Sequence, residues 1–185
     1  MKRLKLVLTV SLVLSSFEVV AGDKPLLLGR ITGVYRSPVV IQNPVDGVVR
    51  TENILEIVKY GSSTAYISTR LNHPVSGNLC SLWGIAEIDG PGLIYRSATE
   101  GTGPACTLRL TFDGTSISFQ DEGGECRKGR CGANTSFSQF SLDRSKRRPM
   151  SNLSQVRKSR HYREAAGEYE RVRRRASSTG RPGRP

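Results

Sequence analysis

The chain has 185 residues, of which 37% are hydrophobic and 24% charged, and this balance favours one folded domain with appendages over two full domains. The formal net charge is +12, but residues 23–143 carry eleven Lys or Arg against twelve Asp or Glu, whereas residues 144–185 carry fourteen against three. The basic character therefore belongs to the C-terminal segment, and the expected folded part is nearly neutral.

Residues 1–22 have the layout of a secretory signal peptide. Three basic residues precede an apolar run from Leu6 to Leu14, and Val20 and Gly22 occupy the −3 and −1 positions of a small-residue cleavage site. The alternative is a membrane-spanning helix, but the run is far shorter than the ~20 residues that a span needs, and Glu18 follows it. We therefore expect a periplasmic or secreted protein that is cleaved near Gly22.

Residues 23–143 alternate between short apolar runs and turn signals, and they contain no convincing helix. Asp113-Gly114 is a strong signal for a two-residue hairpin turn. We expect Trp83, Phe112 and Phe119 in the core. The expected strands lie at residues 30–36, 53–60, 64–71, 79–88, 93–96, 105–112, 115–120 and 137–142. This pattern predicts a mainly β domain, a small antiparallel sandwich or barrel.

All four cysteines follow the expected signal peptide, and an even number in an exported chain indicates two disulfides. Three pairings are open. We favour Cys126–Cys131, because the Gly-containing segment between them can close a short loop, together with Cys80–Cys106. The alternative, a zinc site, lacks the paired C-x₂-C knuckles that such sites prefer, and an oxidising compartment disfavours free thiolates.

The C-terminal segment divides into three parts. Residues 144–150 form a basic linker, and residues 151–175 predict a basic amphipathic helix, from about Asn152 to Arg174, because apolar residues recur at near-helical spacing. Residues 176–185 are rich in Pro, Gly, Ser and Arg and are expected to be disordered. The expected basic surface consists of Arg144, Lys146, Arg147, Arg148, Arg157, Lys158, Arg160, Arg173, Arg174 and Arg175.

The basic surface has two interpretations. Each basic residue near an acidic membrane contributes about 1 kcal/mol of attraction, so an anionic membrane surface or lipopolysaccharide is a candidate partner. A solvated segment without a specific partner is the alternative, because charge runs of this length often have none. Nucleic acid is disfavoured, because the signal peptide directs the chain away from it and aromatic residues are not interleaved with the basic ones.

No residue pattern identifies a reaction, a metal or a cofactor. The two histidines, His73 and His161, have no metal-ligand spacing to other ligands, and neither a nucleophile elbow nor a P-loop is present. The carboxylates of Asp121, Glu122 and Glu125 are of the kind that binds calcium, but the EF-hand pattern is absent. We therefore predict a protein that is not an enzyme and that uses no cofactor.

One stretch resembles a group of small, uncharacterised exported proteins of Gram-negative bacteria. The matching residues are Cys80 with Trp83-Gly84-Ile85-Ala86, Leu93-Ile94-Tyr95-Arg96, Cys106-Thr107-Leu108, Cys126, Cys131-Gly132 and Phe137. In that group a small residue and an Arg usually follow the last Cys-Gly, whereas here the stretch is Ala133-Asn134-Thr135 and the Arg is missing. The resemblance implies an exported location more than an activity.

A shorter stretch is similar to periplasmic lysozyme inhibitors, which are small, disulfide-bearing antiparallel β domains. Those inhibitors insert a loop with a Ser-Gly-x-x-Tyr-like motif into a lysozyme cleft, and the nearest stretch here runs from Tyr60 to Tyr66, with Gly before Ser. The similarity implies a candidate binding loop at Ser62, Ser63 and Tyr66. An ordinary hairpin turn is the alternative, because Gly-Ser-Ser is common turn chemistry.

Export, disulfides and the absence of catalytic groups together predict a periplasmic binding module for a protein or cell-envelope ligand. The specific form we expect is an inhibitor or immunity factor against a cell-wall hydrolase. One alternative is a peripheral envelope protein that its basic helix holds on anionic lipid or lipopolysaccharide. Another is a hydrolase of unrecognised type, because the fold and not the sequence sets the spacing of two catalytic carboxylates.

Overall fold

A computed structural model describes residues 24–43, 47–97 and 105–179. The strands are β1 (Gly33–Asn43), β2 (Gly47–Lys59), β3 (Thr64–Asn72), β4 (Leu79–Asp89), β5 (Gly92–Arg96), β6 (Thr107–Phe112), β7 (Ser116–Glu122), β8 (Ser141–Asp143) and β9 (Arg147–Arg148). The helices are α1 (Lys24–Ile31), α2 (Leu153–Lys158) and α3 (Arg160–Thr179). Short 3₁₀ turns lie at Phe137–Gln139 and Arg144–Lys146.

The strands form one antiparallel sheet in the order β8-β7-β6-β5-β4-β3-β2-β1-β9. Strands β1 to β8 are a meander, in which each strand pairs with the next one along the chain. The chain then crosses back to β1, where β9 pairs with Val34 and Tyr35. The sheet is therefore a nearly closed barrel. This confirms the predicted fold class, a mainly β domain built as a small antiparallel sandwich or barrel.

The barrel interior is filled by one face of each strand. In β6, Leu108, Leu110 and Phe112 are buried while the residues between them are half-exposed, and Ile117 and Phe119 continue this alternation in β7. The predicted core positions of the two phenylalanines are confirmed. Burying a large apolar side chain contributes about 1.5–3 kcal/mol, so this inner face supplies the main driving force for folding.

Helix α1 was not expected from the sequence, which predicted no helix in this part of the chain. Its Leu28 and Ile31 are fully buried and join the interior cluster. The Tyr35 hydroxyl donates a hydrogen bond to the Ile31 carbonyl oxygen at 2.8 Å, which satisfies an acceptor at the end of the helix. A segment of eight residues is too short to show helical periodicity in the sequence, so burial of Leu28 and Ile31 is visible only in the structure.

Several strand boundaries differ from the predictions. β1 begins at Gly33 instead of Arg30 and extends to Asn43, and β2 begins at Gly47, six residues before the predicted start. The last predicted strand is a 3₁₀ turn followed by the three-residue β8. The longer β1 and β2 arise because these two strands pair with each other along eleven residue pairs.

Trp83 does not lie in the barrel interior, which corrects its predicted core position. Its neighbours in β4, Leu82 and Ile85, belong to different clusters: Leu82 faces the interior, and Ile85 faces outward. Side chains alternate along a strand, so Trp83 shares the outer face with Ile85. It is half-buried there by the C-terminal helices. A strand with apolar residues on both faces does not reveal which face points inward.

Both disulfides are present, but the favoured pairing is wrong, because Cys80 pairs with Cys131 and Cys106 with Cys126. The β6–β7 hairpin brings Cys106, just before β6, next to the chain that leaves β7. β5 pairs only with the last four residues of β4, which leaves the β4 edge at Cys80 open to a β-bridge with Cys131. The register of the sheet determines which cysteines lie close enough to pair, and the short segment between Cys126 and Cys131 does not.

The predicted C-terminal helix is divided by Ser159, whose extended backbone separates α2 from α3. Helix α3 continues into the segment expected to be disordered, as far as Thr179. The basic linker contains a 3₁₀ turn and strand β9, so it forms part of the barrel closure. The expected signal peptide at residues 1–22 and the end of the tail at residues 180–185 lie outside the described residues.

Among the helices that the structure describes, none combines the length and the apolar character that a membrane crossing requires.

Candidate functional site

Helices α2 and α3 cover the outer face of strands β2, β3 and β4. A second apolar cluster, separate from the barrel interior, fills the space between the helices and the sheet, and we call it the helix seam. Its buried members are Val58, Tyr66, Ile85, Val156 and Ala165, and its partly buried members are Tyr60, Trp83, Met150, Tyr162 and Tyr169.

Four tyrosines occupy the centre of the helix seam. The ring centroids of Tyr66 and Tyr162 are 4.9 Å apart, and the ring of Tyr60 meets the edge of Tyr169 with centroids 5.8 Å apart. The Tyr60 hydroxyl donates to the Glu170 carboxylate at 3.1 Å. Burial raises the pKa of Tyr66 to about 12. The seam thus joins sheet and helix through aromatic packing.

Trp83 stacks on the imidazole ring of His161 at the edge of the helix seam. The ring centroids are 3.9 Å apart and the ring planes differ by 16°. On the same helix, the Arg160 guanidinium donates to the Glu164 carboxylate at 2.6 Å, and this hydrogen bond lowers the pKa of the Glu164 carboxyl. His161 therefore helps to dock α3 on the sheet, although its side chain remains largely exposed.

The exposed side of α2 and α3 carries a dense set of cations, which we call the cationic face. Its members are Arg157, Lys158, Arg160, Arg163, Arg171, Arg173, Arg174 and Arg175. Of the three glutamates in α3, Glu168 and Glu170 are half-buried. The sheet-facing side of α3 thus holds apolar and acidic groups, and the solvent-facing side is predominantly positive.

The basic residues of the linker have a different environment. Arg144 is half-buried and donates to the Asp113 carbonyl oxygen at 2.9 Å. Arg147 donates to the Thr32 carbonyl oxygen at 2.9 Å. The predicted basic surface therefore divides into residues that close the barrel and residues of the cationic face.

The predicted binding loop lies in the β2–β3 turn, and the structure separates its three residues. Ser62 is exposed, Ser63 is half-buried, and Tyr66 is 1% exposed beneath α3. The turn is held by backbone bonds, since the Thr64 carbonyl oxygen accepts from two N–H groups of the turn and the Ser63 carbonyl oxygen accepts from Ile88 at 2.9 Å. Only the serines of this loop are open to a ligand in this arrangement.

Strands β1 and β2 extend beyond the rest of the sheet as a two-stranded ribbon. β3 pairs with β2 from Ile54 onward, and β9 pairs with β1 only at Val34 and Tyr35. Among the described residues, segments 36–43 and 47–53 therefore pair in the sheet only with each other. Eight residues at about 3.3 Å each make a ribbon about 25 Å long.

The ribbon and the neighbouring β3–β4 turn expose several aliphatic side chains. Ile41 in the ribbon is buried against Gly77 of the turn, so the two segments are in contact. The exposed aliphatic residues are Val40, Val48 and Val49 on the ribbon and Val75 and Leu79 beside it, with exposed fractions between 38% and 78%. We call the ribbon and these residues the hairpin end.

The hairpin end was missed in the sequence, although a signal for it exists. Val39-Val40-Ile41 and Val48-Val49 flank Asp46-Gly47, a dipeptide typical of hairpin turns. Apolar residues on both sides of such a turn indicate two paired strands, and here they extend past the edge of the barrel.

The acidic residues considered for calcium are engaged with donors of the protein. The Asp121 carboxylate accepts from two backbone N–H groups of the turn that follows, both at 2.9 Å. Glu122 pairs with Arg109 at 3.2 Å, and Glu125 pairs with Lys128 at 2.6 Å. The described residues contain no group of three or more His, Cys, Asp or Glu that could hold a metal ion.

Comparison with models of known protein families and with curated proteins finds no significant match for this sequence, and no solved structure matches the fold significantly. Interpretation of these surfaces therefore rests on their geometry and chemistry.

Proposed function

We propose that the protein is an exported binding module without catalytic activity, and that its hairpin end contacts a protein ligand. The observation that supports this proposal is the set of exposed aliphatic side chains on a ribbon whose two strands, among the described residues, pair as strands only with each other. Soluble proteins rarely leave an apolar sheet edge uncovered, because it invites pairing with another chain. The two disulfides are consistent with an oxidising extracellular or periplasmic compartment.

The barrel is suited to presenting such a ribbon. Tyr35 and Leu55 anchor the base of the ribbon in the apolar interior, and two disulfides brace other strands of the same barrel. A rigid scaffold loses little conformational entropy when it binds, so more of the contact energy appears as affinity. Backbone N–H and C=O groups on ribbon edges with which no other described strand pairs can also hydrogen-bond to an extended segment of the partner.

The specific partner we propose is a cell-wall hydrolase, with the protein acting as its inhibitor or immunity factor. A ribbon about 25 Å long with exposed aliphatic side chains along its strands has the reach to enter a substrate cleft. The hairpin end is a better candidate for this contact than the β2–β3 turn, because Tyr66 is covered by α3. Ser62 remains exposed at the β2–β3 turn, so a substitution there tests whether that turn contacts the hydrolase instead.

The test is an inhibition assay with purified lysozymes and related wall hydrolases at molar excess of the protein. We expect inhibition by the wild type and at least tenfold weaker inhibition by the variant Val40→Lys/Val48→Lys, since charge at a buried contact is costly. The matched variant Ser62→Arg should inhibit like the wild type. Both variants should retain the wild-type circular dichroism spectrum, because these side chains are exposed.

Two results would count against this proposal. Full hydrolase activity in the presence of excess protein would reject the inhibitor form. Inhibition that survives the valine substitutions but is lost with Ser62→Arg would move the contact to the β2–β3 turn.

A second candidate function is attachment to an anionic lipid or lipopolysaccharide surface through the cationic face. The observation that favours it is the orientation of α3, which places its aromatic side in the helix seam and leaves arginines exposed. Residues 144–179 carry twelve Lys or Arg against three Glu, a net charge of +9. Because the apolar side of the helix is already occupied, the attraction is electrostatic and should weaken as salt is added.

Liposome co-sedimentation tests this candidate with charge-matched variants. The variant Arg157→Gln/Arg163→Gln/Arg174→Gln should lose most binding to vesicles that contain anionic lipid. The control variant Arg30→Gln/Arg70→Gln/Arg127→Gln removes the same amount of charge from exposed positions outside the cationic face. This control should still bind the anionic vesicles like the wild type. Equal loss in both variants would indicate only a response to net charge, and unchanged binding in the first would reject the candidate.

A further inference from the structure

Four arginines of helix α3 are arranged symmetrically around one glycine. Arg160 and Arg163 precede Gly167 by seven and four residues, and Arg171 and Arg174 follow it by four and seven. With about 3.6 residues per turn, all four arginines lie within about 40° of Gly167 around the helix axis. All five residues are exposed, and we call them the arginine row.

The arginine row lies on the side of α3 that faces away from the sheet. Tyr162, Ala165 and Tyr169, on the opposite side of the helix, belong to the helix seam. One carboxylate lies beside the row, because Glu164 accepts from Arg160 at 2.6 Å. Four arginines and this one glutamate still leave a local charge of +3. Docking of α3 therefore presents a concentrated positive charge to solvent.

The glycine at the centre of the row is not explained by packing within the protein. Glycine inside a helix is less favourable than alanine by about 0.5–1 kcal/mol. A Cβ at Gly167 would meet nothing within 4 Å outside the backbone of its own helix, so no close neighbour requires a glycine there. The missing side chain leaves bare backbone between the two arginine pairs, and a ligand that spans both pairs can lie close to the helix.

The side chain of Arg171 is already held beside this bare backbone. Its Nε donates to the Gly167 carbonyl oxygen at 3.3 Å. A guanidinium held through Nε can still donate through its Nη groups, and arginine recognises phosphate through paired N–H···O bonds. Ordering a side chain before the ligand arrives reduces the entropy that binding costs. Arg171 is thus partly organised for an anion.

We propose that the arginine row binds a lipid head group that carries two phosphates about 12–16 Å apart, with one phosphate at each arginine pair. Arg163 and Arg171 are about 12 Å apart along the helix axis, and the centres of the two pairs are about 16 Å apart. When one phosphate is bound, the second is held near its site at a high effective concentration. The proposal rests on the attachment to an anionic surface described above and specifies the head group.

The shape of the row favours a head group over a free bisphosphate. The row is an exposed, convex surface, so it contacts a ligand on one side only, and each exposed ion pair contributes about 0–1 kcal/mol. A membrane surface presents many head groups at once and adds the attraction of its own potential. One-sided contacts are therefore sufficient at a surface, where they are weak for a soluble molecule.

NMR titration of the purified protein with soluble bisphosphonates tests the spacing. Decane-1,10-bisphosphonate spans the proposed separation, and ethane-1,2-bisphosphonate carries the same two groups much closer together. We expect the longer probe to bind at least about tenfold more tightly than the shorter one. Arg163→Gln/Arg171→Gln should remove this difference, and the charge-matched control Arg30→Gln/Arg70→Gln should retain it.

Gly167→Leu separates ligand binding from folding. Leucine favours the helix more than glycine does, so the variant should have a higher melting temperature than the wild type. Its side chain should prevent simultaneous contact with both arginine pairs and reduce the affinity for the longer probe to that for the shorter one. Ser177→Leu, at an exposed position ten residues further along α3, should leave both affinities unchanged.

Vesicle binding distinguishes this inference from the second candidate function. Vesicles that contain lipopolysaccharide, whose sugar head group carries two phosphates, should retain the protein at higher salt than phosphatidylglycerol vesicles do. The same salt resistance for both vesicles, or equal affinity for the two soluble probes, would overturn the two-phosphate site while the general anionic attachment stands. Preference for the longer probe without binding to either vesicle would overturn the lipid source. Unchanged binding of the longer probe to Gly167→Leu would overturn the role of Gly167.

Discussion

The ring of Tyr95 packs directly against Gly84 of strand β4, so a side chain at this position would overlap the ring. We expect Gly84→Ala to lower the free energy of unfolding by about 1–3 kcal/mol, because overpacking in a dense interior forces neighbours to shift. Urea unfolding measures this difference. The control is Gly114→Ala, because a Cβ there meets no atom within 4 Å. Equal effects of the two substitutions would contradict the proposed close approach.

Buried tyrosines make the stability of the barrel sensitive to alkaline pH. Burial raises the pKa of Tyr35 to about 12, whereas an exposed tyrosine in the unfolded chain titrates near about 10. The folded state therefore holds this proton more tightly. The stabilising contribution is complete below about pH 10 and is lost as the pH rises to about 12.

We expect the free energy of unfolding to fall between pH 10 and 12, by at most about 1.4 kcal/mol per pH unit for each such tyrosine. Tyr66, whose pKa is also raised to about 12 by burial, adds to the slope. Tyr35→Phe should remove the Tyr35 part of that slope and cost about 1 kcal/mol at neutral pH, because the Ile31 carbonyl loses its donor. A variant with the wild-type slope would show that Tyr35 is not the titrating group.

At the scale of elements, the docking of α3 depends on aromatic contacts in the helix seam. We expect Tyr162→Ala to cost about 1–3 kcal/mol and to loosen α3, because this half-buried ring packs on both Tyr60 and Tyr66. Trp83 is the single tryptophan of the chain and stacks on α3 through His161, so its fluorescence reports on docking. The emission maximum should move to longer wavelength in the variant.

Arg163→Ala is the matched control for this experiment, since it lies next to Tyr162 on the same helix and is exposed on the cationic face. It should leave the emission of Trp83 unchanged. A red shift in both variants, or in neither, would contradict the assignment of Tyr162 as a docking residue.

The prediction of elements from the sequence succeeded where local signals were strong. Strands β3 and β4 lie within a residue of their expected ends, because turn residues bound their apolar runs clearly. Helix α1 was missed because it spans only eight residues, and the interior contacts of its Leu28 and Ile31 are long-range and not visible as a local pattern. The extended β1–β2 ribbon was missed because long-range pairing, and not the flanking sequence, determines where each strand ends.

At the scale of the whole molecule, the two disulfides should contribute unequally. The Cys80–Cys131 disulfide joins residues with a sequence separation of 51, and the Cys106–Cys126 disulfide joins residues with a sequence separation of 20. If loop entropy dominates, removal of the first should cost about 4 kcal/mol and removal of the second about 3 kcal/mol. Urea unfolding of Cys80→Ser/Cys131→Ser and Cys106→Ser/Cys126→Ser measures both values.

Peptide mapping under non-reducing conditions provides the control for this comparison. It should recover the same two pairs in the wild type and the remaining pair intact in each double variant. A larger loss of stability for the shorter loop would show that contacts of the folded state outweigh loop entropy.

The candidate surfaces were predicted only in part. The sequence identified most of the basic residues of α2 and α3, because composition reveals charge, but the predicted basic surface omitted Arg163 and Arg171, which are exposed on α3. It could not show that Arg144 and Arg147 contact barrel carbonyl groups while the other arginines form a separate cationic face. It also could not show which side of α3 faces solvent, because that depends on how the helix docks on the sheet.

By itself, the sequence determined the mainly β class, the presence of two disulfides and the concentration of positive charge near the C-terminus. These properties depend on local alternation, on counting and on composition, which do not require knowledge of distant contacts. The tertiary structure alone decided which cysteines pair, which face of β4 points inward, and which apolar residues remain exposed at the hairpin end. Those outcomes depend on sheet register and helix docking. Both are determined by contacts between residues that are far apart in the chain, which local sequence patterns do not encode.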